Sequence, residues 1–81
     1  MNADKLRDCF SRALGIPRER ATDDLAYNSI KEWDSVAHMA LVVELESEFD
    51  VMLDTDDILA MSSVGKAREI LGRLGVGFDA A

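Results

Sequence analysis

The sequence predicts an all-α protein: a four-helix bundle of three longer helices and one short one, with a long first loop. Apolar residues recur at the 3.6-residue helical period in three separate stretches, with capping residues at their ends. The one stretch that could pass for a strand, 50–53, has no second strand to pair with and reads as a loop. At 81 residues, residues 1–81 form a single domain around one core, because a chain of this size has too little surface to divide.

In the first helix, from Asp4 to Leu14, Leu6, Cys9, Phe10, Ala13 and Leu14 share a face, and Gly15 supplies the stop. Cys9 lies on that face, where a small buried hydrophobe outweighs any nucleophilic or metal role. Between Gly15 and Trp33 the period is lost, Pro17 interrupts, and Leu25, Tyr27, Ile30 and Trp33 stand as anchors among polar residues. A connection of this length is functional or crosses the bundle.

The second helix runs from Ser35 to Phe49, with Asp34 placed as an N-cap whose carboxylate accepts otherwise unpaired amides of the first turn. His38, Leu41, Val42, Leu45 and Phe49 fall on one side of it, and Val36, Met39, Ala40 and Val43 on the other. A surface helix needs only one apolar stripe, and the longer first one suits the core. The second, bordered by Glu44 and Glu46, is surplus and reads as a docking face. A central helix buried all round, or a homodimer seam, is the competing reading of the same pattern.

A short third helix follows over 55–60, with capping and acidic residues at its start and Ile58 and Met61 as anchors. Ser63 then caps a fourth, in which Val64, Ala67, Leu71 and Leu74 share a face that ends near Gly75.

Sixteen acidic against nine basic residues give a net charge of −7, which repels a phosphate backbone, so nucleic acid is excluded as an expected partner. A lone cysteine forms no internal disulfide, residues 1–5 lack the basic and apolar regions of a signal peptide, and no apolar run approaches a membrane span. A cytoplasmic monomer is expected.

Ser35 is the residue with chemical promise. A helix N-terminus presents free amides and a partial positive charge to any phosphate placed there, although serine and aspartate at a helix start are also ordinary capping chemistry. Here the chain resembles the acyl and peptidyl carrier proteins. Trp33-Asp34-Ser35-Val36 is similar to their attachment motif, aspartate, serine and then leucine or methionine, in which the serine carries 4′-phosphopantetheine. The resemblance continues through Leu41, Leu45, Glu46, Glu48, Phe49 and Asp50, then Ile58 and Met61, then Ser63 and Val64, and so covers nearly the whole chain.

The resemblance implies that Ser35 is the acceptor of a phosphopantetheine arm taken from coenzyme A, and that Asp34 takes part in transferase recognition near its magnesium. It also implies that Val36, Met39, Ala40, Val43 and Glu46 meet partner enzymes, with Glu44 beside them. The implied partners are a phosphopantetheinyl transferase, a loading ligase for an acyl or aminoacyl group, and downstream synthase or transferase enzymes. The carrier itself catalyses nothing. Ala37, Ala40 and Ser47 hold positions that are acidic in fatty-acid carriers, so the face is more apolar, as in a discrete carrier of a specialised pathway.

Other chemistry fails on spacing. His38 follows Ser35 by three residues, but a Ser-His hydrolase would need a glycine-rich elbow and oxyanion donors, which the sequence lacks; His38 is expected to pack at the core edge. His38 with Glu44 or Asp34 is poor metal geometry without further ligands. A calcium loop counted from Asp54 puts Leu59 at the required glycine and Gly65 at the required glutamate. The competing function class is a helical interaction module with an unmodified Ser35, whose surplus stripe is a permanent interface.

Overall fold

The computed structural model describes residues 2–78. Its helices are α1 (Asn2–Leu14), α2 (Ser35–Phe49), α3 (Thr55–Ala60) and α4 (Val64–Arg73), with a single 3-10 turn at Arg18–Arg20 inside the long first loop. No strand occurs among the described residues, as the unpaired 50–53 stretch implied. α1 and α2 form the principal helix pair.

Each helix begins or ends where its local chemistry sets the boundary. The Asp34 carboxylate accepts the Ala37 amide at 2.9 Å, the Ser63 hydroxyl accepts the Lys66 amide at 3.1 Å, and Asp54 and Asp57 close a reciprocal capping box. Gly15 after α1 and Asp50 after α2 take the left-handed conformation that ends a helix, with φ of 67° and 53°. α4 stops at Arg73, so Leu74 leaves the helix and is exposed; the buried face is Val64, Ala67, Ile70 and Leu71. Ile70, one helical step from both Ala67 and Leu74, replaces Leu74 in the expected stripe.

The core is made by Leu6, Cys9, Phe10 and Leu14 of α1, Leu41, Val42 and Leu45 of α2, and the four residues of α4. α3 contributes no fully buried residue of its own; Ile58 packs against the core and Met61, just beyond it, is buried. Trp33 is the largest fully buried side chain, and its ring meets Phe10 edge-on at 5.2 Å. Ile16 and Ala21 of the loop are buried as well, Leu25 and Ile30 partly so, whereas Tyr27 is half exposed. The loop is therefore anchored chiefly at its two ends.

Its middle is stitched to the start of α4. Tyr27 donates its amide to the Ser62 carbonyl at 2.9 Å, and the Val64 and Gly65 amides donate to the Leu25 and Asp23 carbonyls at 3.0 Å each. These bonds satisfy first-turn amides of α4 that a helix cannot pair internally. The Asp23 carbonyl lies so close that a β-carbon at Gly65 would meet it at 3.3 Å, a tight contact that glycine avoids.

Candidate functional site

The first turn of α2 is fixed on both sides by groups other than Ser35. Asp34 caps it, Trp33 buries the residue before the cap, and the Ser35 side chain stands exposed at the first helical position. A phosphate attached to its hydroxyl would lie at the positive end of α2, beside amides that have no helical partner. The Asp34 carboxylate is held by the Ala37 amide and remains exposed.

Beside Ser35 lies a cleft of about 330 Å³ between the start of α2, the loop and α3. Tyr27, His38 and Met39 line it with Ser35, and Ile58, Leu59, Met61 and Ser62 form the α3 side. Leu59 is 77% exposed and Met39 52%, so the rim is apolar and open to solvent. This is a surface on which the apolar parts of a flexible arm can rest, and the hydroxyl, the free helix amides and the cleft together fit a phosphopantetheine group.

His38 sits at the core edge with both ring nitrogens committed. The Trp33 indole Nε1–H donates to His38 Nδ1 at 2.9 Å, and His38 Nε2 lies 2.9 Å from the Ile58 carbonyl. An indole N–H only donates and a carbonyl only accepts, so the proton is on Nε2. Neither nitrogen is free to act as a base toward Ser35.

The second stripe of α2 is exposed as expected, with Val36 at 78%, Val43 at 64%, and Met39 and Ala40 also open to solvent. The two acids that border it on a helical wheel are each held by a partner within the fold. Glu44 pairs with Arg12 of α1 at 3.4 Å, and the Glu46 carboxylate accepts the Leu53 amide at 2.9 Å, tying the α2–α3 loop to the helix. Ala37 is partly buried against the core, and Ser47 is exposed. Sequence reasoning missed Tyr27 and Leu59 as neighbours of Ser35, since one stands in an aperiodic loop and the other on a helix too short to show a face.

Comparison with known proteins agrees with this geometry. The sequence pattern of a phosphopantetheine attachment site matches residues 4–71. An acyl carrier protein of Lactobacillus johnsonii is 31% identical over 67 residues, which cover 83% of this chain and 84% of that protein. An exposed serine at a capped helix start, an apolar cleft beside it, and a match spanning α1 to α4 are the features of one lineage, and the chain belongs to the family of phosphopantetheine-bearing carrier proteins.

Proposed function

We propose that Ser35 bears the arm, and that the carrier presents an acyl or aminoacyl group, held as a thioester on the arm's thiol, to partner enzymes. The observation that carries this reading is the exposed Ser35 hydroxyl at the capped N-terminus of α2, beside the apolar cleft. A transferase would direct the Ser35 Oγ to the pyrophosphate of coenzyme A. A new Oγ–P bond forms, the P–O–P bridge breaks, adenosine 3′,5′-bisphosphate leaves, and the serine proton passes to a base on the transferase. Asp34 would help position the magnesium that shields those phosphates.

The remaining partners are a ligase that loads the acyl or aminoacyl group and a synthase or transferase that consumes it. Val36, Met39, Ala40 and Val43 form the proposed docking face, with Glu44 and Glu46 at its border held in place by Arg12 and the Leu53 amide. The protein acts as a monomer in the cytoplasm and leaves the chemistry to its partners. No helix among the described residues is long and apolar enough to cross a membrane.

Incubation with coenzyme A, magnesium and a broad-specificity transferase is expected to add one phosphopantetheinyl group by intact mass, on the peptide containing Ser35. No added mass with several transferases would refute the assignment. A thiol titration reads the same event. Burial pushes the Cys9 thiol up to about 11, Glu48 and Glu44 acting in the same direction against Arg12, so it stays protonated and shielded at neutral pH. The apo protein should therefore show no readily reactive thiol at neutral pH and the loaded protein one.

Docking has its own test. Val43→Asp should weaken transfer from the loading enzyme while changing stability by no more than about 0.5 kcal/mol, because the position is exposed and valine and aspartate have similar helix propensities. Leu45→Ala, on the buried side of the same helix, should cost about 2–5 kcal/mol. Thermal melts and transfer rates on both variants separate the faces; an unfolded Val43→Asp would make the second stripe core.

A further inference from the structure

The cleft beside Ser35 has a polar floor. His38 reaches from α2 across to the Ile58 carbonyl of α3 and at the same time receives the Trp33 indole proton, so one ring ties together α2, α3 and the buried tryptophan. Tyr27 closes the side, its ring edge-on to His38 at 5.2 Å and its amide bonded to Ser62. Beyond this tie lie Leu41, Leu45 and Leu71, each fully buried.

We infer that an acyl group on this carrier rests in the outer cleft, and that His38 bars longer chains from the core. The inference rests on Ser35 as the attachment residue. A chain growing inward from Ser35 between α2 and α3 must part His38 from Ile58. That leaves a ring N–H against hydrocarbon and, if the ring turns, strands the indole N–H of a tryptophan that is 0% exposed. The loss falls all at once, whereas apolar burial accrues one methylene at a time. The leucines behind the ring would also have to move out of close packing. Short groups meet neither obstacle, since Tyr27, Met39 and Leu59 already offer an apolar rest outside the tie.

The test loads acetyl, hexanoyl, dodecanoyl and hexadecanoyl arms from the corresponding acyl-coenzyme A, verifies each product by intact mass, and records amide NMR shifts and melting temperatures. The expected result is that shifts at Tyr27, Met39, Leu59 and Ser62 change up to hexanoyl and then stop. Leu41, Leu45 and Leu71 should not move, and the melting temperature should be level from hexanoyl to hexadecanoyl. Shifts that advance to Leu45 and Leu71 with chain length, with a rising melting temperature, overturn the inference. Failure to load any arm instead overturns the Ser35 assignment, and the mass spectrum tells the two failures apart. In His38→Leu, hexadecanoyl should shift Leu45; a folded His38→Leu protein that behaves as wild type removes His38 as the bar, and if the variant does not fold, the wild-type series decides alone.

Discussion

Ser35→Ala is expected to abolish phosphopantetheine loading completely while leaving the fold untouched. Alanine has the highest helix propensity, the position is the first of α2, and the cap is supplied by Asp34, so stability should change by no more than about 0.5 kcal/mol. That separation makes this variant more informative than Asp34→Ala, which would lose the N-cap bond to the Ala37 amide, about 1 kcal/mol, along with any role toward magnesium. Ser62 provides an internal control, because it lines the same cleft and is also exposed. Loading that persists in Ser35→Ala and vanishes in Ser62→Ala would move the attachment to the α3–α4 junction. Intact mass and a thermal melt on the two variants suffice to decide.

The largest effect on stability is expected at Trp33. Truncation to alanine removes the largest buried side chain and its edge-on contact with Phe10, at a cost of about 3–5 kcal/mol. It also leaves His38 Nδ1 without its donor. Small domains are stabilised by about 5–15 kcal/mol in total, with a chain of 81 residues near the lower end, so the variant should be substantially unfolded at ordinary temperature. Trp33→Phe keeps the ring contact, loses the indole N–H and should fall between the two. Urea unfolding followed by circular dichroism measures all three midpoints. A Trp33→Ala midpoint equal to that of Val43→Asp would take Trp33 out of the core.

The helices were legible because their causes are local. The apolar face of α1, the caps Asp34 and Ser63, and the stop at Gly15 each act within a turn of where they stand. The two stripes of α2 were legible for the same reason, and the exposed one is exposed. Leu74 was misplaced on the fourth helix because a period extrapolated to the last turn does not register where the helix ends.

The fold class, the four elements and Ser35 in its carrier-like frame were thus set by the sequence alone, since periodicity, capping and motif spacing are properties of neighbouring residues. Tertiary structure alone decided that Glu44 turns to Arg12 and Glu46 to the Leu53 amide, that the loop is stitched to α4 beside Gly65, and that His38 joins Trp33 to Ile58. A carboxylate on a helix edge or a histidine on a stripe has many possible partners. Which one it takes depends on chain segments brought alongside by burial of a common core, a long-range effect that no local pattern encodes.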